Sequence, residues 1–437
     1  MILWFWVIIM QTDKNFKRIE YLNNLIAFKE KDLIKVVTGI RRCGKSTLFD
    51  LFIDYLKENG VTDAQIIKIN LEEDENEHLL DRKKLHSYVK EKLVPDKMNY
   101  VFLDEVQKVP EFELACDSLY VKKNVDLYIT GSNAYLLSGE LATYLTGRYV
   151  EIKMLPLSFK EYSDWNYEQS GYLLKEDGGY LLTEDGKKIK LENFKSKEEI
   201  YDNYVFKSSF PYTIKLTSNR EIKQYLDALM DSIFIKDIMT RKNFSDVAML
   251  KSVTKFLFDN IGSITSSNNI AETMTKDGRK ITHPTVDNYL LALTESFLFY
   301  KCDRYDVKGK NILKTGEKYY ATDVGMRYNI FGKKDVDLGH ILENIVYLEL
   351  LRRGYSVYIG KVGENEVDFV AIGEYGEEYY QVAYTTKANE TLERELKSLD
   401  MIKDHNPKYL LTMDKESTIS YNGIKKINVL DWLLEKE

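Results

Sequence analysis

The chain has 437 residues, of which 44% are hydrophobic and 30% are charged, and its formal net charge at pH 7 is −7. This balance is typical of a globular chain with several domains, and the acidic charge excludes a protein covered by a basic surface for nucleic acid. The three cysteines, Cys43, Cys116 and Cys302, lie far apart, which excludes a disulfide framework and a cysteine-based metal site, so we expect a cytoplasmic protein.

Residues 1–13 begin with ten apolar residues, MILWFWVIIM. This run is too short for a membrane-spanning helix, which takes about 20 residues. It also lacks the basic start and the small-residue cleavage site of a signal peptide. We interpret it as an apolar extension that is not native, with Met10 as the true start; a peripheral strand or a membrane contact is the alternative. No membrane span is predicted.

Residues 14–165 alternate between strand and helix patterns. The strand segments are IKVV, QIIKIN, YVFLD, VDLYIT and RYVEIK, in that order. After the first strand, Leu48, Phe52 and Leu56 recur every four residues, which is typical of a helix with one buried face. Strands that alternate with helices predict an α/β domain with a parallel, doubly wound sheet.

A phosphate-binding loop follows the first strand. The segment GIRRCGKS fits the pattern G-x-x-x-x-G-K-[ST] in full, between a strand and a helix. Loop N–H groups and the positive end of the helix are expected to bind ATP. We expect Lys45 to contact the β- and γ-phosphates and Ser46 to bind Mg²⁺, while Arg41 and Arg42 face a partner or are structural. The predicted nucleotide-binding residues are Gly39, Ile40, Arg41, Arg42, Cys43, Gly44, Lys45, Ser46 and Thr47.

An acidic pair, Asp104 and Glu105, ends the third strand. At the carboxyl end of a parallel strand, Asp104 can complete the Mg²⁺ shell and Glu105 can polarise the attacking water. A protein that only binds phosphate has no need of the second acid. The sequence therefore predicts ATP hydrolysis, with Glu105 and Lys45 as catalytic residues.

Two further catalytic residues are expected. The fourth strand ends in TGSN, where Asn133 or Ser132 can contact the γ-phosphate. Arg148 follows a helix and is a candidate arginine finger that acts on a neighbouring subunit, which would require a homo-oligomer. The alternative for Arg148 is an ordinary surface salt bridge.

Residues 166–195 contain a tandem repeat, GYLLKEDGGYLLTEDG. Two repeats are too few for a solenoid, and the Asp-Gly pairs are typical of turns between short strands. The spacing of the acids is not that of a calcium-binding EF-hand loop. We therefore predict a solvated surface insertion.

A series of segments resembles one known family. VVTGIRRCGKSTL, YVFLDEVQ, YITGSNAYLLSG, SIFIKDIMTR, KYYATDVGMR and GHILENIVYLELLRRGY follow one another, as in prokaryotic AAA-type ATPases that carry a C-terminal DUF4143 region. The resemblance covers nearly the whole chain after Met10. It implies an AAA-like core, a winged-helix middle and a restriction-nuclease-like tail.

Residues 196–320 show helical patterns that end in a strand hairpin, which is the pattern of a winged helix-turn-helix. The candidate recognition helix, TVDNYLLALTESF, has no Lys or Arg, although such residues usually contact DNA. The hairpin is basic and could touch a DNA backbone. Binding to DNA and docking of a protein or a second subunit both remain open. The basic hairpin residues are Arg304, Lys308, Lys310, Lys314 and Lys318.

Residues 321–437 contain the hairpin EVDFVAIGEYGEEYYQVAY. Restriction-type nucleases place an acid on one strand and acid-x-Lys on the next. Here Asp368 supplies the strand acid, Glu343 resembles the helical acid, and Gln381 and Ala383 replace the second acid and the lysine. A metal-dependent nuclease needs clustered carboxylates and a lysine, so we predict a degenerate binding fold. An active site restored by Lys361 or Lys387 is the alternative.

Together these features predict a Mg²⁺-dependent ATPase that uses ATP turnover to move a C-terminal region that binds DNA or an unknown protein partner. One alternative is a DNA-processing ATPase with an active nuclease tail. The other is a regulatory switch that binds protein or DNA and turns over slowly.

Overall fold

The computed structural model describes residues 16–134, 145–169, 195–239, 246–332, 338–416 and 418–435, with Phe244 and three short strands between residues 176 and 190. The chain divides into two compact units, Met1–Met154 and Leu155–Glu437. The first unit thus ends at Met154, where the sequence predicted an end at residue 165. The predicted apolar extension, residues 1–13, lies outside the described residues.

The first unit contains a parallel sheet flanked by helices. Its strands are β1 (Ile34–Thr38), β2 (Ile66–Asn70), β3 (Asn99–Asp104), β4 (Val125–Gly131) and β5 (Tyr149–Lys153), and its helices are α1 (Ile19–Phe28), α2 (Lys45–Glu58), α3 (Arg82–Lys92) and α4 (Phe112–Tyr120). The strand order is β2-β3-β4-β1-β5, and every pair is parallel. The parallel α/β sheet predicted from the sequence is confirmed.

The centre of this sheet is buried. All residues of β1 and of β3 are buried, which is why both strands read as continuous rather than alternating apolar runs. Helix α2 packs with Leu48, Phe52 and Leu56 fully buried, and the Phe52 ring contacts the rings of Phe102 and Tyr128. Burial of each such side chain contributes about 1.5–3 kcal/mol, so the helix that follows the phosphate-binding loop is firmly packed.

Helices dominate the first part of the second unit. They are α5 (Phe159–Gln169), α6 (Lys197–Lys207), α7 (Asn219–Ser232), which continues as a π-helix (Ile233–Met239), α8 (Val247–Asp259), α9 (Ser267–Lys276) and α10 (His283–Glu295). Within the predicted insertion, β6 (Glu176–Asp177), β7 (Tyr180–Leu182) and β8 (Lys188–Lys190) form an antiparallel sheet. Among the described residues, no helix is long and apolar enough to cross a membrane.

The rest of the second unit is a mixed sheet with helices. Its elements are β9 (Phe299–Asp306), β10 (Asn311–Ala321), α11 (Val324–Phe331), α12 (Leu338–Arg352), β11 (Ser356–Val362), β12 (Asn365–Gly373), β13 (Gly376–Ala383), α13 (Asn389–Asp400), β14 (Lys408–Thr412), β15 (Ile419–Tyr421), β16 (Ile424–Asn428) and α14 (Val429–Leu433). The strand order is β10-β9-β11-β12-β13-β14-β16-β15. From α12 to β14, a helix, three antiparallel strands, a helix and a parallel strand follow one another.

The β9–β10 hairpin, predicted as a wing, is part of this sheet. Strand β9 runs parallel to β11, with Arg304 opposite Ile359. The domain boundary predicted at residue 320 therefore falls inside β10, and the predicted helical and tail domains share one sheet. Sequence alone could not show this pairing, because some 50 residues, which include β10 and two helices, separate β9 from β11.

The start of α11 fixes the packing of this region. Asp323 caps the helix by accepting from the Met326 N–H at 2.9 Å, and its other oxygen accepts from the Ser209 N–H and hydroxyl at 2.7 and 2.6 Å. Gly325 lies so close to Ser208 that a Cβ would come within 2.4 Å of the Ser208 Cα. The helix can approach this backbone only because residue 325 lacks a side chain.

Candidate active site

The phosphate-binding loop lies at the carboxyl end of β1, and α2 begins directly after it. Gly39 has φ 151°, Arg42 68° and Gly44 106°. A Cβ on Gly39 would lie 2.2 Å from the Met154 carbonyl oxygen, so this position requires glycine. The loop places the N-terminus of α2, with its unsatisfied N–H groups, at the edge where β1 ends.

Lys45 lies inside this loop. Its side chain is buried, and Nζ donates to the carbonyl oxygens of Gly39 and Ile40 at 3.0 and 3.3 Å. Nζ also lies 3.7 Å from Oε1 of Glu105. The two side chains that the sequence assigned to the phosphates and to the attacking water are therefore side by side.

Ser46 and Asp104 form the second pair that the sequence predicted. The Thr130 hydroxyl donates to Asp104 Oδ1, and the Ser46 side chain lies close enough to Asp104 to lower its pKa by hydrogen bonding. Burial raises the pKa of Asp104, while these two hydrogen bonds oppose the rise. Asp104 is buried and Ser46 is exposed, so the pair extends from the sheet edge to solvent.

The Ser46 hydroxyl and the Asp104 carboxylate fit Mg²⁺, which is usually held by one or two carboxylates together with water and phosphate oxygens. In the described part of the chain, no group of three or more His, Cys, Asp or Glu side chains is placed to hold a metal. A nucleotide-bound Mg²⁺ needs no such group, because the phosphates supply part of its shell.

Glu105 is held in a defined position. Its backbone is left-handed, with φ 54°, and its N–H donates to the Thr130 hydroxyl at 2.9 Å. Gln107 Nε2 donates to its carboxylate. Burial alone would raise the pKa of Glu105, but Lys45 and Arg41 outweigh it and hold the pKa below the usual range. The carboxylate is therefore ionised at neutral pH, as a group that polarises water must be.

One of the two predicted alternatives placed Arg41 on the outside, facing a partner. The side chain of Arg41 does not face outward. Its side chain is buried, and NH1 lies 3.0 Å from Oε1 of Glu72, just beyond the end of β2. Arg42 is exposed. No sequence motif links Arg41 to Glu72; the only signal was an acidic segment after a predicted strand.

The candidate γ-phosphate contacts lie at the same edge. Ser132 and Asn133 are buried and follow β4, which lies between β1 and β3. Gln107 Nε2 is 3.5 Å from the Ser132 hydroxyl, so Ser132 is linked to Glu105 through Gln107. The choice between Ser132 and Asn133 stays a prediction.

Comparison with known proteins identifies the first domain. Residues 31–163 match the family model of an AAA domain, and residues 198–337 match a domain of unknown function, DUF8612. The chain is 38% identical to an uncharacterized protein of Haemophilus influenzae over 96% of this chain and 98% of that one. The chain therefore belongs to the same family as this protein, and its residues 31–163 form an AAA domain. The DUF4143 region named by the sequence resemblance is not supported by the DUF8612 match.

Other similar proteins share less sequence identity with this chain. An uncharacterized protein of Methanocaldococcus jannaschii is 29% identical over 91% of this chain and 85% of its own. The Walker-type ATPase of Pyrococcus abyssi is similar over 72% of this chain and 96% of its own, with 16% identity and a TM-score of 0.47. The DNA complex of the Aeropyrum pernix ORC1 protein gives 12% identity and a TM-score of 0.30, covering 73% and 93%. These structural scores are too low to bear on function.

Arg148 lies far from the phosphate-binding loop of its own AAA domain. It precedes β5, whose first residue, Tyr149, pairs with Ile34 at the start of β1, whereas the loop follows Thr38 at the other end. Five residues of strand span about 16 Å. Arg148 forms the surface ion pair of the alternative interpretation, with Asp117. A role as an arginine finger therefore stays a prediction for a neighbouring subunit only.

The acids predicted in the tail do come together. Asp368 Oδ2 accepts from the Val382 N–H at 2.8 Å, and the Asp368 N–H donates to Gln381 Oε1 at 3.3 Å. Gln381 Nε2 donates to Glu395 Oε2 at 2.7 Å. Burial and the nearby Glu343 raise the pKa of Asp368 well above its usual range. Glu395, on α13, is a member of this cluster that the sequence did not indicate.

The lysine of this cluster is Lys318. It was predicted to be part of the basic hairpin, but it is buried, with Nζ 3.0 Å from Glu343 Oε1 and 2.8 Å from Glu366 Oε1. It is therefore not available to DNA. Of the two lysines that the alternative of an active site required, Lys387 is exposed and Lys361 is partly exposed, and the contact to Glu343 is made by Lys318 instead.

Proposed function

We propose that the chain is a Mg²⁺-dependent ATP hydrolase of the cytoplasm. The observation that carries this proposal is the pairing of Lys45 Nζ with Glu105 Oε1 at 3.7 Å, with Ser46 and Asp104 beside it. A phosphate-binding lysine, an ionised acid and two oxygens suited to Mg²⁺ thus share one sheet edge. The three buried free cysteines are consistent with a reducing compartment.

The chemistry follows from the position of each side chain. Lys45 exchanges its carbonyl acceptors for the β- and γ-phosphate oxygens, and Ser46 and Asp104 would hold Mg²⁺. The metal ion would supply charge neutralisation on the phosphates. Glu105, oriented by Gln107, accepts a hydrogen bond from the water that attacks the γ-phosphorus as the bond to ADP breaks.

Ser132 or Asn133 contacts the γ-phosphate from the end of β4. Arg148 supplies positive charge to the site of a neighbouring subunit, which makes the active form a homo-oligomer. Both assignments rest on position. Ser132 and Asn133 lie at the carboxyl ends of the strands, beside the phosphate-binding loop, whereas Arg148 lies at the amino ends of the strands of the same sheet.

We further propose that ATP turnover moves the second unit, which binds a partner. A winged-helix fold is supported by the order α8, α9, α10, hairpin and by the antiparallel bridge between Thr265 and Glu317. The exposed side of α10 carries Asp287, Asn288 and Leu291. This acidic and apolar side favours a protein partner over DNA, which needs cations.

The basic hairpin offers a smaller site for DNA. Lys308 and Lys310 are exposed at its turn, and Arg304 is partly buried; the side chain of Lys314 lies outside the described ones. Binding of DNA through this hairpin is the second candidate. If DNA does not change ATP turnover, a protein partner is favoured.

A nuclease tail is the weaker alternative. The order of elements from α12 to β14 and the cluster of Glu343, Asp368 and Glu395 favour a restriction-nuclease-like fold. Lys318 opposes metal binding, because its ammonium group already forms ion pairs with Glu343 and Glu366. We infer a degenerate site that binds without cutting.

The test is ATP turnover by the purified chain and by Glu105→Gln. The variant should keep ATP binding and lose at least about 100-fold in kcat, in line with the loss of a general base. Glu91→Gln, an exposed acid on α3, is the matched control and should be unchanged. Equal turnover by wild type and Glu105→Gln would refute the assignment of the base, and very slow wild-type turnover would favour the regulatory switch.

A further inference from the structure

The backbone of Arg41 lies in the phosphate-binding loop after β1, but its side chain contacts Glu72, which lies after β2. Its NH1 lies 3.0 and 3.4 Å from the two carboxylate oxygens of Glu72. Glu72 in turn is positioned by its own N–H, which donates to Asn70 Oδ1 at 3.0 Å. The Asn70 side chain thus orders the turn that carries Glu72, and the Glu72 carboxylate holds the Arg41 guanidinium group.

The strand order shows what lies beneath this ion pair. The loop follows β1 and Glu72 follows β2, with β4 and β3 between them. Adjacent strands are about 4.8 Å apart, so the pair bridges about 14 Å along the sheet edge. It therefore crosses the carboxyl ends of β4 and β3, where Asp104 and Glu105 lie.

Under the proposed function, the terminal phosphate of ATP lies at the carboxyl ends of β4 and β3, between Lys45 and Glu105. A guanidinium group binds a carboxylate and a phosphate with the same planar geometry. The terminal phosphate of ATP carries more negative charge than a single carboxylate, and ADP has no phosphate at this place. Arg41 can therefore distinguish the two nucleotides.

We propose that Arg41 senses the γ-phosphate of ATP by exchanging its ion pair with Glu72 for one with that phosphate, and that it returns to Glu72 when ADP is bound. This inference rests on the proposed function, because it requires ATP in the loop. Glu72 is then a competitor of the nucleotide, and its release reports that ATP is bound.

Competition makes a prediction that a purely structural ion pair does not. Removal of Arg41 takes away a contact to ATP, so it weakens ATP binding. Removal of the charge of Glu72 takes away the carboxylate that competes with the phosphate for Arg41, so it strengthens ATP binding. A pair that only holds the loop in shape would give loss of affinity in both variants.

The experiment measures the Kd of a non-hydrolysable ATP analogue and of ADP, each with Mg²⁺, by calorimetry on the full chain. Arg41→Ala should raise the Kd for the analogue about 10-fold to 100-fold, and Glu72→Gln should lower it about 3-fold to 10-fold. The Kd for ADP should change less than about 2-fold in both. The double variant should behave like Arg41→Ala.

Glu73→Gln is the matched control, because this exposed neighbour contacts Asn70 instead of Arg41. Weaker or unchanged binding of the analogue by Glu72→Gln would overturn the inference. Arg41→Lys, which keeps the charge but loses the planar group, guards against a misfolded Arg41→Ala and should bind the analogue at least about 3-fold more weakly than wild type. If wild type binds no ATP, the proposed function fails; if it binds ATP but these variants do not separate, only the role of Arg41 fails.

Discussion

Lys318 on β10 and Glu343 on α12 form a buried ion pair, with Nζ 3.0 Å from Oε1. The same ammonium group contacts Glu366 at 2.8 Å, and the Tyr320 hydroxyl donates to Glu343 at 2.6 Å. Burial lowers the pKa of Lys318, but Glu343, Asp368 and Glu366 outweigh it and raise the pKa above its usual range. A lysine from the predicted wing thus forms ion pairs with two acids of the predicted tail.

Loss of this lysine should destabilise the second unit. Lys318→Met leaves Glu343 buried without its cation, and breaking a buried pair costs about 3–5 kcal/mol. Urea unfolding measures the change. Lys308→Met, at an exposed lysine of the same hairpin, should stay within about 0.5 kcal/mol of wild type. Adding Glu343→Gln to Lys318→Met should recover part of the loss, and a cost below about 1 kcal/mol for Lys318→Met would contradict a buried pair.

Nucleotide binding should appear as thermal stabilisation of the AAA domain. A ligand at 100 times its Kd stabilises the folded state by about 2.7 kcal/mol, so saturating ATP with Mg²⁺ should raise its melting temperature. Lys45→Ala should abolish this rise, because Lys45 lies where the phosphates bind. Lys57→Ala, near the other end of α2, should keep it. Chelation of Mg²⁺ should reduce the rise in wild type, and an undiminished rise would argue against Ser46 and Asp104 as metal ligands.

Asp414 should make the second unit sensitive to acid. Burial alone would raise the pKa of Asp414, but hydrogen bonds from Thr385 and Thr386 and the contact with Lys426, 3.1 Å away, outweigh it and hold the pKa well below its usual range. A lowered pKa stabilises the fold above the unfolded pKa, about 3.9, and this contribution is lost as pH falls toward the folded value.

Urea unfolding at pH 7 and at about pH 3 tests this sign. Asp414→Asn should be less stable than wild type at pH 7, and the difference should shrink at the lower pH. Asp400→Asn, at an exposed acid on α13, should differ little from wild type at either pH. A difference that is the same at both pH values would show that the charge of Asp414 does not contribute.

Features that depend on residues close together in the chain were predictable from the sequence. The loop from Gly39 to Ser46 and the pair Asp104 and Glu105 each lie within one short segment, so their motifs identify them. The parallel sheet followed from alternating strands and helices. The meeting of Lys45 with Glu105 was also expected, because both follow parallel strands and such strands end at one edge.

Other contacts between distant segments were not predictable. In the sequence, Lys318 is one more basic residue of a hairpin. Whether its side chain is exposed depends on the pairing of β9 with β11, which the sequence did not reveal. Glu395 lies on a helix that is otherwise an ordinary amphipathic one, and only the fold brings it to Gln381. The Arg41–Glu72 pair likewise depends on the order of strands in the sheet, which periodicity does not specify.

A trans-acting Arg148 can be tested by mixing two inactive variants. Arg148→Ala should bind ATP but lose about 10³-fold or more in kcat, as for other arginine fingers, because its positive charge is missing from the neighbouring site. Mixed with Lys45→Ala, which keeps Arg148 but cannot bind ATP, it should regain turnover, since a mixed oligomer pairs an intact loop with an intact Arg148. Lys123→Ala, at an exposed lysine just beyond α4, should keep full turnover. If mixing restores nothing and wild type is monomeric under turnover conditions, Arg148 serves only its ion pair with Asp117.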